Sequence, residues 1–253
     1  RIFRDNTQLC FRFFTQINKI LYTYKPNNIF FTSEGHAWEK ALCAAVRKYS
    51  KSAKCIGYQH SRLFKYQHSM KREFKNNFDP HIILTSGKYA YEELKHKLSG
   101  LKVINIGKHH LENITSVGSH KLSSFNSKSK IYICVLPDAF PDEAIKLLQF
   151  SLSCALQFKN IFFIWRFHPA TNLKRVNKII NLKSNLPDNV IISKQALYED
   201  LKISHMALYR GSATILSAMK MGIIPIYFKT KNEFDIDILD KSYEWGIKIE
   251  SPI

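Results

Sequence analysis

Apolar positions recur along the chain in two rhythms. Over residues 5–24, Leu9, Phe13, Ile17 and Ile20-Leu21 stand three to four apart, the spacing of one helix face. From Asn28 onward, apolar runs of four to six residues alternate with polar loops and helical stretches. Asn28–Thr32, Lys54–Tyr58, Pro80–Ser86 and Leu101–Gly107 read as strands, with helices at 37–49 and 87–98 and a basic polar stretch over 62–78. That alternation predicts a parallel sheet with crossover helices. Residues 108–130, rich in Ser, His and Lys, read as a linker that includes His109 and His110, both expected to be solvated. The rhythm restarts at Lys130–Leu136. A helix at 143–158, strand Ile161–Phe167, helix 173–183, strand Val190–Ile192, a turn at Tyr198–Lys202, strand Met206–Tyr209, helix 214–221 and strand Ile223–Phe228 follow. No internal repeat is visible.

The fold class expected is α/β: two Rossmann-like parallel-sheet domains, 1–115 and 131–253, joined by a linker at 116–130 and facing a cleft. Ligands bind in clefts of that kind. The chain opens on Arg1 rather than Met, which points to a processed or truncated piece and an incomplete first domain.

Composition narrows the function. At 253 residues and 45% hydrophobic, the chain can build two cores. No apolar run reaches the ~18 residues of a membrane span, and no secretory signal pattern is present. Five cysteines at 10, 43, 55, 134 and 154 lack metal-ligand or disulfide spacing, which argues for a reducing compartment and no structural metal. Cys43 and Cys134 lie in apolar segments and read as core, as do Trp38 and Trp165. The net charge of +18 favours anionic partners. The basic residues are spread along the chain, which fits an anionic membrane surface better than nucleic acid.

The candidate chemistry sits at strand ends. Proline cannot supply a ladder donor, so Pro169 should stop its strand and leave His168 at the carboxyl edge. Arg166 shares His168's face by alternation. After Tyr209 comes Arg210-Gly211-Ser212-Ala213-Thr214, a small-residue turn whose hydroxyls and free N–H groups suit a phosphate at a helix start. Gly211 is expected to clear space for that ligand. In the first domain, Ser33-Glu34-Gly35-His36, Gln59-His60-Ser61 and Thr85-Ser86-Gly87-Lys88 follow strands, where such folds build their sites. Glu34 can alternatively cap the next helix. Residues 137–142 can border a nucleotide base. Asp235-Ile236-Asp237 has the spacing of a metal-binding triplet but reads as surface charge.

The segment 206–226, a short strand, Gly211-Ser212-Ala213-Thr214, a small-residue helix and Gly222-Ile223-Ile224-Pro225-Ile226, resembles the C-terminal domain of GT-B glycosyltransferases and epimerases of that fold. His168-Pro169 resembles the His-Pro motif of bacterial sialyl-, polysialyl- and Kdo transferases. That resemblance implies a CMP-activated acidic sugar donor, with His168 on the leaving phosphate and Ser212 and Thr214 holding the same group. Those families carry an acidic-acidic-Gly motif whose carboxylate is the general base, and Ser33-Glu34-Gly35 matches two of its three positions. Glu34–Glu39 also resembles surface-polysaccharide biosynthesis proteins.

The expectation is therefore metal-independent glycosyl transfer with no cofactor. Glu34 is the base, and His168, Arg166, Pro169 and Arg210–Thr214 form the donor site. Gly35, His36, Gln59, His60 and Ser61 contact the substrate. The acceptor is a glycan or lipid-linked glycan at the cytoplasmic side of the inner membrane. A sugar-nucleotide epimerase of the same fold and a non-catalytic binding module are the alternatives.

Overall fold

A computed structural model of the chain describes residues 5–66, 68–74, 77–107, 130–182, 186–239 and 246–250. The chain divides into two compact units, Arg1–His110 and Leu111–Ile253. His109, His110 and the linker expected at 116–130, Lys130 excepted, lie outside the described residues.

The first unit holds α1 (Asp5–Tyr24), β1 (Asn28–Thr32), α2 (Ala37–Tyr49), β2 (Lys54–Gln59), β3 (Ile82–Thr85), α3 (Lys88–Lys97) and β4 (Lys102–Asn105). Its four strands are parallel and lie in sequence order, with β1 and β4 at the edges. A sequential order with right-handed crossovers winds every connection over one face. The alternating burial along β1 and β3 follows from this. Ile29, Phe31 and Cys55 pack with Ile17 and Leu21 of α1 and Leu42, Cys43 and Val46 of α2. Ile83 and Val103 pack with Leu63, Met70, Ala90 and Leu94. The stripe expected on α1 is only half buried: Ile17 and Leu21 are inside, but Leu9 is 60% exposed and Ile20 45% exposed. The α1–α2 contact is narrower than the sequence stripe. Trp38 is partly buried at this cluster's rim.

The second unit holds β5 (Ile131–Leu136), α4 (Pro141–Gln157), β6 (Ile161–Trp165), α5 (Leu173–Ile180), β7 (Val190–Ile192), α6 (Leu197–Ile203), β8 (Met206–Tyr209), α7 (Ile215–Lys220), β9 (Ile224–Lys229) and β10 (Ile247–Glu250). All strands are parallel, in the order β10-β9-β8-β5-β6-β7. The central strands read as continuous apolar runs because both their faces are covered. Val135, Leu147, Leu148, Trp165, Val176 and Leu208 form the centre of the core. Cys43 and Cys134 are buried, as expected.

Three elements differ from the sequence reading. Residues 198–202 belong to α6, a helix too short to show a period. The helix expected to reach 183 stops at Ile180, because Asn181 takes a left-handed φ of 53°. Strand β10 was not anticipated, because four alternating residues at a sheet edge carry little signal.

Candidate active site

In the second unit the chain runs from β5 to β6 and β7, then returns to β8 on the other side of β5. The connection reverses between β5 and β8, and open α/β sheets take ligands beyond the strand ends at such a switch point. Two loops meet there. A Cβ on Gly211 would lie 3.0 Å from Asp138 Oδ2 and 3.3 Å from Ile236 Cδ1. The glycine therefore admits the neighbouring loops, where the sequence suggested that it clears room for a ligand. Ser212 is buried, Thr214 half-buried and Ala213 exposed. The Thr214 hydroxyl makes no capping bond to α7.

His168 and Pro169 are exposed just past the end of β6. The imidazole Nδ1 accepts the Ala170 N–H at 3.1 Å, and the His168 carbonyl accepts the Thr171 N–H at 2.8 Å. With Nδ1 accepting, the ring proton sits on Nε2, which is left to donate outward. Arg166, by contrast, donates to the Gln195 carbonyl at 2.8 Å and to the buried carboxylate of Asp200.

Arg210 is 2% exposed. It donates through Nε to Glu143 and through Nη2 to Glu233. Lys146 pairs with the same two carboxylates. The positive charge that Arg166 and Arg210 were expected to bring to a phosphate is thus balanced inside the unit. A cavity of about 540 Å3 opens beside this network, with Asn232 and Phe234 on its wall. Asp237 is not surface charge. Its side chain is 6% exposed, accepts the Tyr209 hydroxyl at 2.6 Å and pairs with Lys248 at 3.0 Å.

In the first unit Glu34 follows β1. Its Oε1 lies 3.2 Å from His60 Nε2 and its Oε2 lies 3.2 Å from His36 Nε2. Burial pushes its pKa up, but hydrogen bonds from Ser61 and His36, with the charge of His60, outweigh this and hold it below the usual carboxylate range. Glu34 does not cap α2. No side chain caps α2; Glu39, in its first turn, reaches back to the loop instead, accepting the Glu34 N–H at 2.8 Å and the Gly35 N–H at 2.9 Å. Gln59 is buried. Its amide nitrogen donates to the Ser61 carbonyl, and its oxygen accepts the Ser86 N–H and hydroxyl, both at 3.2 Å. It fixes the loops after β2 and β3. The structure thus gathers Glu34, His36, His60 and Ser61 into one cluster, with Gly35 and Gln59 shaping its backbone. Sequence reasoning missed Glu39, although a glutamate three residues after a helix cap is a recognisable signal. Among the described residues, no three His, Cys, Asp or Glu side chains gather as a metal site, and no helix is long and apolar enough to cross a membrane.

No protein-family model matches the chain, and no curated protein matches it by sequence. Solved structures do match. The Methanocaldococcus jannaschii UDP-GlcNAc 2-epimerase in complex with UDP-GlcNAc and UDP aligns with a TM-score of 0.59 at 15% identity, over 98% of this chain and 72% of that one. The glycotransferase of kitacinnamycin aligns with a TM-score of 0.58 at 9% identity, over 99% and 71%. Staphylococcus aureus MnaA with UDP aligns with a TM-score of 0.56 at 12% identity, over 90% of this chain. The chain spans 64% of that protein's length. At such identities the likeness shows the fold: two parallel-sheet α/β domains of the GT-B class.

Proposed function

We propose that the chain is a GT-B enzyme of nucleotide-sugar chemistry, and that it transfers the sugar to a hydroxyl acceptor. The observation that carries this reading is the meeting of the loops after β5 and β8, at Asp138 and Gly211, over the switch point of a doubly wound sheet. The second unit binds the donor, with His168 Nε2 donating to the leaving phosphate and Ser212 and Thr214 beside it. The first unit supplies Glu34, kept ionised by its partners, as the base. The acceptor oxygen bonds to the anomeric carbon as its proton passes to Glu34. The bond from that carbon to the phosphate oxygen breaks, and the nucleotide departs carrying the electron pair. The finer assignment, a CMP-activated acidic sugar placed on a surface glycan at an anionic membrane face, is supported by His168-Pro169 and the +18 charge.

A second reading is epimerisation of a UDP-sugar, with no acceptor. It is favoured by the UDP-GlcNAc 2-epimerases among the similar folds. One titration separates the two. Thermal unfolding is followed with CMP, UDP, GDP and their sugar conjugates, since a ligand at 100 times its Kd adds about 2.7 kcal/mol. A shift with CMP and CMP-sugars supports the transferase. A shift confined to UDP and UDP-GlcNAc, with epimer appearing when no acceptor is added, supports the epimerase. His168→Ala should abolish turnover in either case. No shift with any nucleotide, and no turnover of any nucleotide sugar by the parent chain, would leave a binding module.

A further inference from the structure

The cavity beside Arg210 is lined by opposite charges held against one another, together with an aromatic ring. At about 540 Å3 it lies within the ~300–1,000 Å3 of small-molecule sites. Two carboxylates and two cations line it. Glu143 takes Lys146 on Oε1 and Arg210 on Oε2, and Glu233 does the same. Thr230 adds a third bond to Glu233. The four charges cancel, and each cation is already held by both carboxylates. An anionic group entering here would have to displace a carboxylate from a guanidinium that is 2% exposed.

The carboxylates themselves remain open to a different partner. Each has about four lone-pair sites, and the side chains are 22% and 35% exposed. They can accept further hydrogen bonds from neutral hydroxyls. The positive charge of Lys146, the Thr230 bond and Arg210 hold Glu233 below the usual range, so it stays an acceptor across ordinary pH. Asn232, at a left-handed φ of 60°, brings an amide to the same wall. Phe234 is 79% exposed. An aromatic face beside carboxylates and an amide matches a pyranose, which has an apolar C–H face and a rim of hydroxyls.

We propose that this cavity receives the sugar ring of the nucleotide sugar, and that the ring is uncharged. The inference rests on the nucleotide-sugar reading above, and it runs against the acidic donor that His168-Pro169 suggests.

The test uses the whole chain and saturation-transfer NMR with methyl glycosides. The uncharged probes are those of glucose, galactose and N-acetylglucosamine; the acidic probes are those of N-acetylneuraminic acid and Kdo. At least one uncharged glycoside should receive saturation, and the acidic ones should not. Phe234→Ala should weaken that binding about tenfold, the usual scale for losing an aromatic anchor. Asn232→Gly keeps the backbone conformation and should weaken it too. The proposal is overturned if no uncharged glycoside binds, if binding survives Phe234→Ala, or if an acidic glycoside binds through Phe234. Failure of UDP and CMP to bind would sink the nucleotide reading separately, because the glycoside result needs no nucleotide.

Discussion

The carboxylate of Glu39 holds the backbone of Glu34. Oε1 accepts the Glu34 N–H at 2.8 Å and Oε2 the Gly35 N–H at 2.9 Å, from a side chain buried in the first turn of α2. Both N–H groups precede the helix, so the carboxylate ties the loop to α2. Glu39→Ala leaves two donors unsatisfied, at about 1–3 kcal/mol each. Urea unfolding should show a loss of about 2–6 kcal/mol, and turnover should fall because Glu34 is no longer held. Glu39→Asp is too short to reach both groups and should behave almost as badly.

Gly35 carries a separate constraint. Its φ is +86°, and an added Cβ would overlap Ser69 Oγ and lie 2.7 Å from Ser69 Cβ and 2.9 Å from the Ser69 carbonyl carbon. Gly35→Ala combines a left-handed alanine with a steric overlap and should cost about 2–4 kcal/mol. Adding Ser69→Gly removes most of the overlap but not the conformational strain. The double variant should recover only part of the loss, because a 2.9 Å approach to the Ser69 carbonyl carbon and about 1–2 kcal/mol of left-handed strain remain. Equal stability of single and double variants in thermal unfolding would show that the Ser69 contact is not limiting.

These two residues also show what the sequence could reveal. The alternation of short apolar runs with helices was enough to place nine of the ten strands among the described residues; the central strands of the second unit, buried on both faces, read as unbroken apolar segments. Strand-end position was enough to single out Glu34, His36, His60 and Ser61, because a parallel sheet puts its loops at one edge. Partnership was not legible. Arg166 and Arg210 look like free cations until Asp200, Glu143 and Glu233 are found beside them, and the latter two contacts join positions 67 and 23 residues apart. Nor does a Gly-Ser-Ala-Thr turn reveal that its glycine faces Asp138 rather than open space.

Glu34 should titrate low. The hydrogen bonds from Ser61 and His36 and the charge of His60 outweigh its burial. A folded pKa below the unfolded one means that the carboxylate contributes stability at pH above its unfolded value of about 4.3. That contribution is lost as pH falls through the folded value. Carbon-detected NMR should find the Glu34 carboxyl titrating below an exposed glutamate. His36→Ala or Ser61→Ala should move it upward. Comparing wild type with Glu34→Gln in urea, any stability advantage of the carboxylate should shrink on acidification below about pH 4.3. An advantage that grows in acid would refute the assignment.

Trp165 is fully buried at the end of β6, and its indole N–H donates to Ser151 Oγ at 3.0 Å. The Ser151 hydroxyl in turn donates to the Leu148 carbonyl at 2.9 Å. This chain ties β6 to α4 in the middle of the core. Ser151→Ala strips the indole of its acceptor and should cost about 1–3 kcal/mol in urea unfolding. Adding Trp165→Phe removes the orphaned donor as well. A double-mutant cycle should therefore show coupling of at least about 0.5 kcal/mol.

Arg210 distinguishes a structural cation from a ligand cation. Its guanidinium is 2% exposed and reaches Glu143, Glu233 and the Phe228 carbonyl, the last at 3.3 Å. Removing one partner of a buried ion pair costs about 3–5 kcal/mol, because the other charge is left uncompensated. Here the abandoned carboxylates are 22% and 35% exposed and keep Lys146, so water and the ammonium soften the loss. Arg210→Ala should fall near the low end, about 3 kcal/mol. Arg210→Met combined with Glu143→Gln and Glu233→Gln removes the buried guanidinium together with both its carboxylates and should regain most of that, since a buried ion pair replaced by neutral groups is often no less stable. Lys146, 35% exposed, remains solvated. Urea unfolding of the single and triple variants gives the comparison. If Arg210→Ala instead keeps its stability and loses nucleotide affinity, the guanidinium is a phosphate ligand, and the neutral wall inferred for the cavity fails with it.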